Sequence, residues 1–527
     1  MTGRLMEGPS PELVRSAYRL ELLAAPALMP ELALADLGNT LLLIESGYIP
    51  PKPGRRLVGA ILKLRDAVVS SLQPYGAGLD PGSGLADPAC GDLVMNREAW
   101  LRREIGPDAG YLLVGRPRRE ASVVAYHLAV RRRLLALAVG LERLQRALVD
   151  LAAKHVTTLS VDYTYWQAAQ PSSLAHALLA YVYPLARDAE RLQSTWGRAN
   201  LSPAGAGCTN GATIVLDREL LARQLGFDGV VVHARDANWQ ADLAVELTAL
   251  AATVGLTLDR LAEDLLTWDT REYGFVELAD RTSRISLAMP QKKNPYALVF
   301  VRGAAARLVG RLAGAAAVAK TATGQPDPRI YAQDEVPDSL ELAEQGTALL
   351  TEVMSGIIFD RAKLAVAAAR GYLAGNDLAE EIMLRGVMPF GTAHKVVAQA
   401  VRVAFEDGNE IDGIDAAALD AAAIEVAGEP AGLDDAAIRE ALDPELAVAR
   451  RTGIGGAAPA AVRAMIADRR RDLRRQQRWI DARATAIGHA EETLLARARA
   501  MAGAVTAAGR ARGTAAVAAA KNRHDQA

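Results

Sequence analysis

The sequence predicts an all-α fold built around a central bundle of long helices, and three observations carry the prediction. Ala and Leu are abundant while aromatic residues make up only 5% of the chain, a composition that favours helix over strand. Leu134, Leu137, Leu141, Leu144, Leu148 and Leu151 step by three or four, the spacing of one face of a helix. Three further long segments carry the same pattern, which together suggest a bundle.

Taken in order, residues 1–119 form an N-terminal region interrupted by loops rich in Pro and Gly, "IPPKPGRR" and "PYGAGLDPGSGLADPACGD". Residues 120–360 hold the bundle. Glu120 to Thr157 has no proline and only Gly140 as a weak point, so it predicts a helix far longer than the usual ~11–12 residues. A second long segment follows Pro171, a third runs from Asp236 to Leu278, and a fourth follows Pro295. Residues 361–500 read as shorter helical pieces alternating with polar loops such as "EDGNEIDGID". The cluster "ADRRRDLRRQQR" interleaves its arginines with Asp and Gln and reads as a solvated helix face. Residues 501–527 are low in complexity and read as a disordered tail.

Composition narrows the function. The 527 residues are 50% hydrophobic, enough for a large core in two or three domains. Sixty Lys and Arg against 62 Asp and Glu leave a net charge of −2, so no global field invites nucleic acid or an anionic membrane. Cys90 and Cys208 are too few for a disulfide framework, which points to a reducing, cytoplasmic setting. The N-terminus has no leader pattern. Leu308 to Gly324, broken by Arg311 and Lys320, is too short and too charged to span a bilayer. No GxGxxG, Walker, HExxH or CxxC motif occurs, which argues against a nucleotide or metal enzyme.

One stretch interrupts the helical pattern, "SRISLAMPQKKNPYALVFVRG", Ser283 to Gly303. Pro290 and Pro295 prevent a continuous helix, so Lys292, Lys293 and Asn294 fall on a loop, with Ser286 just before them. On residue types alone this reads as a turn with exposed lysines. The second reading is catalytic: a Lys can bind a carboxylate, and a Ser can act as a base where cations and backbone N–H groups stabilise its alkoxide.

"SLAMPQKKNP" resembles the Gly-Ser-Ser-x-Met-Pro-x-Lys-x-Asn loop of the fumarase/aspartase superfamily, and "QKKNP" looks like argininosuccinate lyase in particular. "YTYWQAAQPSSLAHALLAY", "LVGRPRRE" and "GDLVMNREAWL" resemble further segments of that family, as do four others in family order between about residues 90 and 462. The resemblance implies a three-domain fumarase/aspartase-type fold and a homotetramer. Its active sites would combine the segments Arg116–Arg119, Thr164–Gln167 and Ser286–Asn294 from different subunits. It implies Ser286 as the catalytic base, and Lys292 and Asn294 as ligands of succinyl carboxylates. Thr164, Gln167, Arg116, Asp92 and Gln333 match substrate-contacting positions. No cofactor is implied, and the partner is a small dicarboxylate substrate.

The chain also departs from the pattern. Tyr165 stands where the family has a His tied to proton transfer, and Val94 replaces another His. Pro117 and Arg119 replace Ser and Asn, Ile285 and Leu287 replace Gly and Ser, and Gly38-Asn39 replaces Ala-His. Arg119 supplies a cationic fork suited to a carboxylate, and Tyr165 can donate a proton to an amine leaving group. The expectation is β-elimination from an N-substituted aspartate with a changed amine half. Another leaving group, or a fold kept without catalysis, are the alternatives. His127, His155, His176, His233, His394 and His489 read as structural or surface residues.

Overall fold

A computed structural model describes residues 4, 6–72, 79–80 and 83–524, with side chains through Gly503. The N-terminal region contributes α1 (Ala25–Glu45), α2 (Pro51–Ser71) and α3 (Leu93–Ile105). Helix α1 is apolar on nearly every face and buried accordingly. By length and composition Pro11–Glu45 could cross a membrane, yet 83% of its most apolar window is buried within the molecule. Pro51 starts α2 at a position where a missing N–H costs nothing.

The bundle follows. Helix α4 (Arg118–Ala153) has 36 residues, about 54 Å at 1.5 Å per residue. Its Leu134, Leu137, Leu141, Leu144 and Leu148 are fully buried, as their spacing predicts. A hairpin of β1 (Leu159–Thr164) and β2 (Gln167–Ser173) leads into α5 (Leu174–Ala199), and α6 (Asp242–Trp268) comes next. The third long segment is therefore shorter than its sequence pattern, because Ala234–Trp239 forms a separate short helix before it. A second hairpin, β3 (Arg284–Ile285) with β4 (Lys293–Asn294), precedes α7 (Tyr296–Ala319) and α8 (Glu335–Gly356). Helix α6 packs on α7 and α8, and α4 on α5 and α8. Gly140 marks the α4–α8 crossing: a Cβ there would lie 2.2 Å from Thr347 Oγ1. The apparent weak point of α4 is a place where α8 leaves no room for a side chain.

After the bundle, α9 (Gly375–Leu384), α10 (Phe390–Glu406), α11 (Ala416–Ala427) and α12 (Asp435–Leu442) enclose a core of their own around Leu378, Ile382, Val396, Leu419 and Ile438. The chain then returns to the bundle as α13 (Pro459–His524), where shorter pieces were expected. The basic cluster lies on this helix, with Arg470 paired to Asp150 at 3.0 Å. Of the tail expected at residues 501–527, residues 501–524 are the end of this helix; residues 525–527, and the side chains past Gly503, lie outside the described residues. Arg132 of α4 bridges Glu31 of α1 and Glu491 of α13, each at 2.6 Å, and Arg65 of α2 joins Glu491 at 2.7 Å. N-terminal helices, bundle and α13 thus share one continuous hydrophobic core.

Candidate active site

Three places carry the residues singled out from the sequence. The first is the loop between β3 and β4. Pairing of Arg284 with Asn294 and of Ile285 with Lys293 makes residues 286–292 project from the bundle. Ser286 Oγ accepts the Met289 N–H at 3.1 Å, which fixes the hydroxyl oxygen within the loop. Lys292 is exposed, and its ammonium meets no acceptor among the described residues. Lys293 instead turns back to Asp280 at 2.8 Å and Glu277 at 3.0 Å, and the hydrogen bond to Asp280 is the main cause that holds its pKa up. Asn294 Nδ2 donates to Arg284 O at 3.0 Å and closes the base of the hairpin. Ile285 and Leu287 are exposed. Beneath the loop lies a cavity of about 520 Å³ reached by Asp269, Ser283, Gln291 and Lys293. Burial pushes the Asp269 carboxyl up to about 6.

The second place is the tip of the β1–β2 hairpin. Tyr165 and Trp166 form its two-residue turn with φ of 52° and 61°. Tyr165 is 98% exposed, and Thr164 and Gln167 flank it at the surface. The hairpin base is anchored: Tyr163 stacks edge-on against Tyr273 at 5.5 Å, and Gly455 O lies 3.0 Å from His176 Nε2. Both hairpins lie at the end of the bundle where α4 and α6 finish and α7 begins.

The third place is at the other end of α4, a cavity of about 320 Å³. Asp92 caps α3, its Oδ1 accepting the Met95 N–H at 2.9 Å, and its Oδ2 accepts from Arg118 at 3.1 Å. Val94 forms part of the wall. Arg119 donates from Nε to Asn238 O at 2.8 Å and lies over the Trp239 ring at 4.3 Å. Burial lowers its pKa to about 10, and the nearby Arg329 adds to the effect. Arg329 is paired with Glu21 at 2.7 Å. Asp334 is half-buried on the same wall and lifted to about 7 by desolvation.

Arg116 does not reach this cavity. Its guanidinium is buried against Asp36, which also holds Arg97 at 2.8 Å. Gln333 is buried in the turn Pro328–Gln333, and the next residue, Asp334, faces the cavity instead. Asn39 lies in the core of α1. Sequence reasoning missed Arg118, Trp239, Arg329 and Asp334. Arg118 stands inside the quoted "RPRRE", whereas Trp239 and Arg329 carry no local pattern. Within one chain, the cavity and the two hairpins are separated by the length of α4.

Comparison with known proteins bears on the assignment. Residues 105–310 match the family described as Lyase, and residues 372–449 match the argininosuccinate lyase C-terminal family. The argininosuccinate lyase of Methanoculleus marisnigri is 34% identical over 473 residues, spanning 88% of this chain and 92% of that one. That of Methylibium petroleiphilum is 37% identical over 386 residues, 72% of this chain and 80% of its own. EDDS lyase in complex with formate superposes with a TM-score of 0.81 at 27% identity, covering 95% of this chain and 97% of that one. The class II fumarase of Schistosoma mansoni shares the fold, with a TM-score of 0.64 at 15% identity over 80% of this chain and 90% of its own. Fold and relatives define the class, an all-α carbon–nitrogen lyase of the fumarase/aspartase superfamily. Within that class, the chain belongs to the argininosuccinate lyase family.

Proposed function

We propose that this chain cleaves the C–N bond of an N-substituted aspartate and releases fumarate, or a close analogue, and an amine. The observation that carries this reading is the β3–β4 loop, which holds Ser286 and Lys292, whose ammonium has no partner among the described residues, away from the bundle. Ser286, as its alkoxide, takes the proton from the carbon next to a substrate carboxylate. The resulting aci-carboxylate dianion is stabilised by Lys292, Asn294 and loop N–H groups. The C–N bond then breaks and Tyr165 gives its proton to the departing nitrogen. Thr164 and Gln167 contact the substrate beside it, and Arg119 receives a carboxylate. This chemistry needs no cofactor and suits a cytoplasmic enzyme. Asp92 and Arg116 act on it indirectly, Asp92 by holding Arg118 and Arg116 by fixing the start of α4.

Because the cavity and the hairpins lie at opposite ends of α4, a complete site needs more than one copy of the chain. Helix α7 carries a fitting surface. Val299, Gly303, Ala306, Gly310, Ala313 and Ala317 are exposed at alternating steps of four and three, the seam of a helix that packs on another. A homotetramer sharing its central helices fits both observations.

The test is fumarate release, followed by ultraviolet absorbance, from argininosuccinate and a panel of N-substituted aspartates, with Ser286→Ala beside the wild type. Activity that vanishes in the variant supports the reading. The other reading, a fold kept without catalysis, is favoured by Val94 and Tyr165 standing where the family pattern has histidines. Silence across the panel from a folded oligomer would favour it.

A further inference from the structure

We infer that the groove between the end of α4 and the first turns of α13 binds a diphosphate group, either free or carried on a larger molecule. The groove has a volume of about 500 Å³ and shares no residue with the cavity at the start of α4 or with the one beneath the β3–β4 loop. Its walls are Arg463, Arg470, Arg471 and Arg474 of α13, and Val156, Ile466 and Ala467 lie on its apolar floor. Steps of four, three and four through residues 463, 467, 470 and 474 put these positions on one face of the helix. Ala467 is small and stands in the middle of that face, so the long side chains around it enclose a hollow.

The carboxylates interleaved with this basic cluster answer only part of it. Asp472 pairs with Arg469 and Arg475, Asp468 with Arg471, and Asp150 of α4 with Arg470 at 3.0 Å. Arg463 and Arg474 are exposed and have no partner among the described residues. The same holds for Lys154, which precedes the floor at the end of α4. Four guanidinium groups facing two carboxylates leave the groove with a surplus of positive charge. A guanidinium takes a phosphate through two parallel N–H···O bonds. Spacing chooses among anions. Arg463 and Arg474 stand about 16 Å apart along the helix axis at 1.5 Å per residue, with Arg470 between them. Two linked phosphates, met by side chains from both ends, match that row better than one compact anion. The apolar floor gives an attached organic group a surface to rest on.

Calorimetric titration of the full-length protein at fixed ionic strength, with pyrophosphate, ADP, orthophosphate and sulfate, decides the matter without reference to fumarate release. Pyrophosphate or ADP should bind at least about tenfold more tightly than orthophosphate or sulfate, because the second phosphate binds as a linked group. Whichever of the two binds more tightly shows whether the diphosphate is free or carried. Arg463→Gln and Arg474→Gln should each weaken that binding about tenfold, the worth of one charge-assisted contact. Ala467→Glu keeps every arginine, sets a carboxylate among them and should abolish binding. All three positions are exposed, so the melting temperatures without ligand should stay within about 2 °C of wild type. Orthophosphate or sulfate binding as tightly as the diphosphates overturns the inference. Unweakened diphosphate binding by Arg474→Gln and Ala467→Glu does so too. So does the absence of both binding heat and any ligand-induced rise in melting temperature.

Discussion

Asp334 has a carboxyl of about 7 in the folded protein, against about 3.9 in an unfolded chain. Its folded form holds the proton more tightly, so its contribution to stability is fully present below the unfolded value and is lost as pH rises through about 7. Asp334→Asn keeps the neutral shape and removes the titration. It should gain about 1–3 kcal/mol over wild type at pH 8 and almost nothing at pH 4. Melting curves of both proteins across that range check this, and parallel curves would refute it. Ser286→Ala, by contrast, removes one exposed hydroxyl bonded only to a loop N–H. It should leave the melting temperature within about 1 °C while abolishing turnover, because a surface change of this kind costs little. At this scale the sequence was legible where chemistry is local. Ser286, Lys292 and Asn294 sit in one short motif, and the structure keeps them on one loop. Arg116 was not legible, because its partner Asp36 is on a helix 80 residues earlier. Asp334 and Trp239 gain their meaning only from residues brought beside Arg119 by the fold.

Long helices were readable from periodicity, because a buried stripe leaves its mark at every third or fourth residue. Hairpins as short as these leave no such mark. The β1–β2 turn is of the type in which both central residues take positive φ, a role usually given to Asn and Gly. Tyr165 and Trp166 hold that backbone at a cost of roughly 1 kcal/mol or more each. A strained turn that presents an aromatic hydroxyl at its tip serves something other than stability, which agrees with Tyr165 as proton donor. Tyr165→Asn should therefore preserve or raise the melting temperature while lowering kcat at least about tenfold. A variant that is less stable yet fully active would contradict that role. The crossing of α4 and α8 makes the opposite kind of demand. Gly140→Ala brings a methyl group against Thr347, and overpacking of this sort costs about 1–3 kcal/mol. Adding Thr347→Ala removes the hydroxyl in the way and should restore most of the loss. Equal stability of wild type and Gly140→Ala would mean that the helices separate without cost.

At the scale of the whole molecule, one distance governs function. Arg119 stands at the beginning of α4, and the hairpins bearing Tyr165 and Ser286 lie beyond its end, so a single chain cannot bring them to one substrate. The sequence suggested segments from different subunits only through family resemblance; the 36 residues of α4 give a physical argument for that proposed arrangement. An active site assembled from several copies has a distinctive genetic consequence. If the proposed homotetramer forms, Ser286→Ala leaves every site without its proposed base, and Arg119→Gln leaves every site without the cavity's fork. In a mixed tetramer, some sites draw both segments from chains in which they are intact. Co-refolding the two inactive variants should therefore restore activity, to a fraction of wild type set by the mixing ratio. If each chain were to contain its own complete site, every site in the mixture would keep one defect and no activity would return. The seam on α7 sharpens the test. Gly310→Glu places a charge at an exposed position of that seam, and like charges from neighbouring copies would meet there. Light scattering should then report smaller assemblies, and the mixture built on that background should stay inactive. Restored activity without assembly would separate catalysis from the tetramer altogether.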